Sequence, residues 1–289
     1  MTRSLRFFLS AAFAMLFLQT ASADRVRQNF DFGWQFHLGE DTACINPAYN
    51  PASWQWQDVQ IPHDWSIELQ FDRNAGGASG FLPGGIGLYR KEFTVPASVR
   101  GRKVGIVFDG VYHKATVYLN GKKVGYHRYG FTSFEYDLTP YVNFGGGNVL
   151  LVHVDHSEVS RWYTGSGIYR HVWLLYTDPV RIAPWGTYVT TPSVASASLP
   201  ALSAASATVS VETKVVNGGP VPVRFTVRQT IIDGSGRPVK NASAISAAAS
   251  LAAGDSSVVK QSLSILSPHL WDVGDPYLYH VRTEVCRGG

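Results

Sequence analysis

From residue 88 onward the chain alternates apolar and polar residues with a period of two, and Gly, Pro or Asn interrupts the alternation about every eight to twelve residues. Leu88 to Val95 stops at Pro96. Lys103 to Phe108 follows, then Ala115 to Leu119, an Asn120-Gly121 turn, and Lys123 to Tyr126. Asn-Gly between two short alternating runs is a hairpin signal, because a type I′ turn needs two residues at positive φ. Further runs cover Phe134 to Leu138, Asn148 to Val154, Ile168 to Tyr176 and Val180 to Thr190. No stretch between 88 and 190 keeps an apolar stripe of period 3.6 over three turns, so this region reads as all-β, a sandwich or barrel.

Residues 24 to 87 differ. They hold Trp34, Trp54, Trp56 and Trp65 among many Pro, Gly, Asp and Asn, and read as ordered loops and short edge strands wrapping the sandwich. After Thr191 comes a Pro, Ser and Ala tract to residue 207, a domain boundary or excursion. Alternation resumes at Thr208 to Val216 and Val221 to Thr230, with weaker runs near 244–248, 256–265 and 277–285. Short strands at this spacing suit an immunoglobulin-like sandwich. The Ala-rich Ala242 to Ala253 stretch is also compatible with a helix. The expected division is therefore 1–23, 24–190 and 191–289.

The first 23 residues carry Arg3 and Arg6, an apolar run from Phe7 to Leu18, and Ala21-Ser22-Ala23. That is the pattern of a secretory signal peptide, with cleavage expected near Ala23 and export to the periplasm or the medium. The apolar run is too short to cross a hydrocarbon core of about 30 Å as a helix, so no membrane span is expected. The formal charge is +4, which without Arg3 and Arg6 becomes +2 and makes no electrostatic case for nucleic acid. Aromatic residues at 13% and charged residues at 16% argue against disorder. Cys44 and Cys286 are the two cysteines, too few for a Cys-rich metal site, and unpaired thiols are the expectation.

Acid–base hydrolysis of a glycosidic bond needs two carboxyl groups about 5 to 9.5 Å apart. Asp64, Asp72, Asp109, Asp155 and Glu158 have suggestive neighbours, but no spacing pairs them, and loop capping explains each equally simply. His63, His153 and His156 neighbour carboxylates, yet no His-Glu-x-x-His helix or cysteine pair accompanies them, so neither a metal nor another cofactor is expected. Loop oxygens suited to calcium remain an alternative. No Gly-x-Ser-x-Gly elbow supports a serine nucleophile. The richest local cluster is Ser160-Arg161-Trp162-Tyr163-Thr164-Gly165-Ser166-Gly167-Ile168-Tyr169-Arg170. Carbohydrates present apolar C–H faces beside hydroxyls, and Trp162, Tyr163 and Arg161 offer flat aromatic surface with a fork of donors. The alternative places Trp162 and Tyr163 in the sandwich core, with Arg161 paired to a carboxylate.

These stretches, taken in order, resemble the amino-terminal part of glycoside hydrolase family 2, which holds the bacterial β-galactosidases, β-glucuronidases and β-mannosidases. The resemblance rests on Phe30 to Phe36, Ile61-Pro62-His63-Asp64-Trp65, Gly84 to Phe93, Phe108 to Val111 with Ala115 to Gly121, Ser160 to Arg170, and Leu270-Trp271 with Asp275 to Tyr279. It implies an all-β chain: a jelly-roll-like, galactose-binding-type sandwich followed by an immunoglobulin-like β-sandwich. In the family a (β/α)₈ barrel comes next and carries both catalytic glutamates of a retaining β-glycosidase. The resemblance therefore implies the non-catalytic front of an exported β-galactosidase-like hydrolase, with no catalytic residue in this chain and a parent expected to be a homo-oligomer. By position, the Asn74 to Pro83 and Ser160 to Gly167 loops would approach a β-glycoside or oligosaccharide in the barrel's pocket. That makes Asn74, Arg161, Trp162 and Tyr163 the expected substrate-binding residues, although some β-galactosidases have Asp where Arg161 stands. A stand-alone carbohydrate-binding or adhesion module is the second reading.

Overall fold

The structure is a computed structural model describing residues 25–195 and 204–288 apart from Pro51, Ser53 and Val159. The leader expected over residues 1–23 lies outside the described residues. Ten strands build the first half: β1 (Val26–Asn29), β2 (Trp34–Leu38), β3 (Gln57–Val59), β4 (Gly85–Thr94), β5 (Lys103–Phe108), β6 (Ala115–Leu119), β7 (Lys122–His127), β8 (Phe134–Asp137), β9 (Gly147–His156) and β10 (Val172–Thr177). They form a six-stranded sheet ordered β3-β2-β4-β9-β6-β7 and a four-stranded sheet ordered β1-β10-β5-β8. Each pairing between them is antiparallel. Period-two alternation sends every second side chain to one face, and those faces enclose a single core around Trp34, Phe36, Trp65, Tyr89, Phe108 and Leu150.

The segment before residue 88 contributes more than a wrapping. β1 and β3 are edge strands, whereas β2 lies between β3 and β4 inside its sheet. The chain from Thr42 to Trp56 covers the outer face of the same sheet, where Cys44, Ile45, Tyr49 and Trp56 pack on Leu88, Leu151 and Tyr118. Both faces of β4 and β9 are thus buried at mid-strand, which is why the alternation is blurred at Leu150-Leu151-Val152. Asn120 and Gly121 adopt φ of 51° and 79°, the two positive values expected of the β6–β7 hairpin.

Seven strands form the second half: β11 (Val180–Ala195), β12 (Ser206–Asn217), β13 (Val223–Ile232), β14 (Pro238–Ile245), β15 (Ala249–Leu251), β16 (Ser256–Leu266) and β17 (His280–Arg287). One sheet is ordered β11-β12-β16. In the other, β13 pairs with β14 and β15 on one side and with β17 on the other. Two apolar clusters, around Val211, Ile231 and Leu263 and around Val215, Phe225 and Leu251, fill the space between them. The Ala-rich stretch forms β14 and β15 rather than a helix. Val180 to Thr190, counted above with the first sandwich, belongs to β11 and is bonded to β12. Cys44 and Cys286 are free. Burial pushes the Cys44 thiol up to about 11, and Cys44 Sγ donates to the Asp41 carbonyl at 2.8 Å. No helix among the described residues is long and apolar enough to cross a membrane.

Candidate functional site

At one end of the six-stranded sheet, β4 starts opposite the last residue of β9, with Gly85 paired to His156. The chain approaches this corner through the loop that ends at Gly84 and leaves it through the Ser157–Gly167 segment. A third segment, Ile61 to Leu69, crosses below. Asp64 joins the last two. Its Oδ1 accepts from the backbone N–H groups of Ser66 at 3.0 Å and Ser166 at 2.8 Å, and its Oδ2 accepts from the Tyr163 hydroxyl. Burial first, and the Asp64 carboxylate second, raise the Tyr163 pKa, so that hydroxyl stays a donor.

Beneath this joint lies a buried polar chain. The Ser66 and Ser166 hydroxyls bond to each other, Ser66 Oγ donates to the Pro83 carbonyl at 2.6 Å, and His156 Nδ1 lies 2.6 Å from Ser166 Oγ. Trp65 Nε1 donates to the Gly84 carbonyl at 3.1 Å. The backbone comes close enough here to demand glycine. A Cβ on Gly84 would stand 2.1 Å from the His156 carbonyl oxygen, and one on Gly167, at φ 103°, would stand 2.1 Å from Tyr89 Oη. Burial, with His113 second, lowers the His156 pKa to about 4, so its imidazole is neutral at neutral pH. His63 is held down by burial too. Its Nδ1 meets Tyr89 Oη at 2.7 Å, while its Nε2 stands 3.3 Å from Glu68 Oε1, out of line for a hydrogen bond.

A cleft of about 370 Å³ opens above this floor. One wall holds Asp72, Asn74 and Ser79; the other holds His156, Ser157 and Glu158. Asn74 is fixed by a turn in which Asp72 Oδ1 accepts from its backbone N–H at 2.8 Å and from its Nδ2 at 3.0 Å. The second wall leads directly into the Ser160–Gly167 loop. There Trp162 is 59% and Tyr163 41% exposed, so these aromatics do not fill the core. Arg161 is exposed as well. Asn74 therefore lines the cleft, Tyr163 is tied to its floor through Asp64, and Arg161 and Trp162 project from the adjoining loop.

The carboxylates singled out from the sequence have structural partners. Asp64 caps the Trp65–Glu68 turn, and Asp109 accepts from Trp173 Nε1 at 2.8 Å. Lys114 Nζ is 2.6 Å from Glu158 and 4.0 Å from Asp155. Hydrogen bonds from Ser157 hold the Asp155 carboxyl below its usual range against its partial burial, and the Lys114 ammonium does the same for Glu158. Neither is suited to donate a proton. Glu135 is raised by burial, but the space it lines with Asp137, Lys103 and Arg181 is only about 10 Å³, too small for a sugar. Among the described residues no group of three or more His, Cys, Asp or Glu could hold a metal ion. The roles of Ser66, Ser166 and Tyr89 escaped the sequence reading because the Ser66–Ser166 bond spans 100 residues and the His63–Tyr89 contact 26; only the inward register of Tyr89 hinted at burial.

Comparison with known proteins finds two family models that match the chain in succession. The model described as "Glycosyl hydrolases family 2, sugar binding domain" matches residues 28–179, and that described as "Glycosyl hydrolases family 2" matches residues 188–289. The β-galactosidase BoGH2A of Bacteroides ovatus is 40% identical over 267 residues, which is 91% of this chain and 30% of that protein. A β-glucuronidase of Bacteroides fragilis is 28% identical over 244 residues, 80% of this chain and 32% of its own length. Among solved structures, a family 2 member from Bacteroides cellulosilyticus superposes with a TM-score of 0.79 at 34% identity, covering 90% of this chain and 34% of that one. A β-glycosidase from Bacteroides vulgatus gives 0.76 at 35% identity, covering 91% and 32%. The chain thus spans about a third of the length of these relatives.

Proposed function

The chain belongs to glycosyl hydrolase family 2, carrying its sugar-binding domain and the immunoglobulin-like sandwich, and from that premise we propose that it is the amino-terminal portion of an exported, retaining β-galactosidase-like hydrolase. In this reading the two sandwiches supply sugar contacts and no catalytic group. The Asn74 side chain offers amide donors and an acceptor to sugar hydroxyls, Trp162 and Tyr163 offer flat faces to pyranose C–H surfaces, and Arg161 offers a donor fork. Cleavage itself proceeds by attack of one carboxylate on the anomeric carbon while a second protonates the leaving oxygen. Both carboxyl groups would come from the larger remainder that the relatives possess. The jelly-roll description of the first sandwich, removal of a leader near Ala23, and homo-oligomeric assembly of the parent belong to the same proposal.

The observation that carries the reading is the convergence of the Asn74 loop and the segment leading to Arg161, Trp162 and Tyr163 on one cleft above the Asp64 joint. The purified chain is expected to release no nitrophenol from a nitrophenyl β-galactoside above the uncatalysed rate, and yet to bind methyl β-galactoside weakly, with Asn74→Ala weakening that binding. Turnover that disappears on changing an Asp or Glu of this chain would overturn the proposal. Micromolar binding of an oligosaccharide by the chain alone would favour the stand-alone binding module instead.

A further inference from the structure

Family 2 holds β-galactosidases and β-glucuronidases, so membership leaves open whether the sugar carries a charge. The lining of the Asn74 cleft bears on that question. Two carboxylates stand on its facing walls, Asp72 on one and Glu158 on the other, and among the described residues that line it there is no Lys and no Arg. Lys114, beside the second wall, is already engaged: its Nζ lies 2.6 Å from Glu158 Oε1 and 4.0 Å from Asp155 Oδ2. One ammonium thus faces two carboxylates. Arg73 lines a different hollow, with Phe71 and Phe81, and Arg161 projects from the adjoining loop. The remaining titratable group of the lining is His156, whose imidazole burial keeps neutral at neutral pH.

The hydrogen-bonding groups lean the same way. Ser79 Oγ donates to the Gly76 carbonyl and Ser157 Oγ to Asp155 Oδ1, so both hydroxyl protons of the lining are used within the protein. Asp72 engages only Oδ1 in its turn with Asn74. What faces a ligand is therefore mainly oxygen acceptors. Acceptors suit sugar hydroxyls, which donate. A uronate replaces the C6 hydroxymethyl group by a carboxylate, which donates nothing and brings a third negative charge beside Asp72 and Glu158. We propose that this cleft admits uncharged pyranosides and rejects uronates, with Asp72 and Glu158 as the residues that set the selectivity. The inference rests on the reading of the cleft as a sugar site.

NMR titration of the full chain at neutral pH and low salt with methyl β-D-galactopyranoside and methyl β-D-galactopyranosiduronate, which differ only at C6, tests it. The galactoside should bind about tenfold more tightly, the effect of like charges a few ångströms apart at a solvated site. Raising NaCl from about 0.02 M to about 0.5 M should shrink that ratio to about threefold, because the repulsion is screened. Glu158→Gln removes one repelling charge and leaves Lys114 less fully paired, so it should shrink the ratio at low salt; Asp72→Asn, which keeps an acceptor for the Asn74 turn, should act in the same direction. Equal affinity for the two ligands, a tighter galacturonide, or a preference unmoved by salt or by both variants overturns the charge selection and leaves the sugar reading standing. Binding of neither ligand overturns both. Should the variants fail to fold, the salt series on the wild-type chain decides.

Discussion

His156 shows how a side chain that reads as a metal-ligand candidate becomes a fixed neutral strut. Its ring is almost fully buried, its Nδ1 is engaged by Ser166, and Tyr112 stands edge-on at 4.9 Å. Burial is the main cause of a folded-state pKa near 4, whereas an unfolded histidine titrates near 6.5. The folded chain therefore takes up this proton less readily than the unfolded one. The contribution is complete above about pH 6.5 and is lost as the pH falls from there to about 4, amounting to roughly 3 kcal/mol. His63, His113 and His127 are shifted in the same direction by burial and add to the slope. Urea unfolding at pH 7.5 and 4.5 should show the wild type losing stability and His156→Gln losing measurably less; equal losses in the two proteins would refute the assignment. The presence of His156 beside Asp155 was legible in the sequence, but its burial depends on Ser166 and Tyr112, which only the folded chain brings to it.

Among the elements, the turn of the β6–β7 hairpin was legible, because Asn-Gly has few uses other than a tight turn at positive φ, whereas the register shift between Val117 and Tyr118 was not. Asn120 nevertheless does more than turn the chain. Its Nδ2 donates to the Tyr141 carbonyl and to Asn148 Oδ1, both at 2.9 Å, and its Oδ1 accepts from the Val149 N–H at 2.9 Å. Asn120→Gly keeps the backbone conformation and removes these three bonds. It should cost about 2 kcal/mol in urea unfolding; a loss below about 0.5 kcal/mol, the range of an ordinary surface change, would mean that turn propensity alone matters. Other elements were only half legible. β2 sits inside its sheet although it is short and flanked by loops, because the three-residue β3 pairs with its outer edge from Trp34–Val59 to Phe36–Gln57, a partner about 20 residues on that no local pattern announces. β11 reads like a continuation of the first sandwich, and its hydrogen bonds to β12 assign it to the second.

Across the whole molecule, the two sandwiches keep separate cores. Polar groups line the junction between them: Arg287 Nη1 lies 3.2 Å from Asp178 Oδ2, and Arg181 of β11 shares a space of about 10 Å³ with Lys103, Glu135 and Asp137 of the first sandwich. Contacts of this kind couple folding units weakly. Calorimetry should therefore resolve two unfolding transitions, with Trp34→Ala lowering one midpoint and leaving the other in place. A single transition with equal calorimetric and van't Hoff enthalpies would show one cooperative unit instead.

What the sequence determined by itself is the all-β class, the placement of most strands and the family, because period-two patterning and turn residues are local signals and the family's motifs are strings of neighbours. Tertiary structure alone decided which loops share a wall of the Asn74 cleft, that Asp64 fastens Tyr163 and Ser166 from about 100 positions away, and that Trp162 faces solvent instead of the core. Such contacts depend on how strands are ordered in a sheet, and strand order follows from burial summed over the whole chain, which no window of sequence contains.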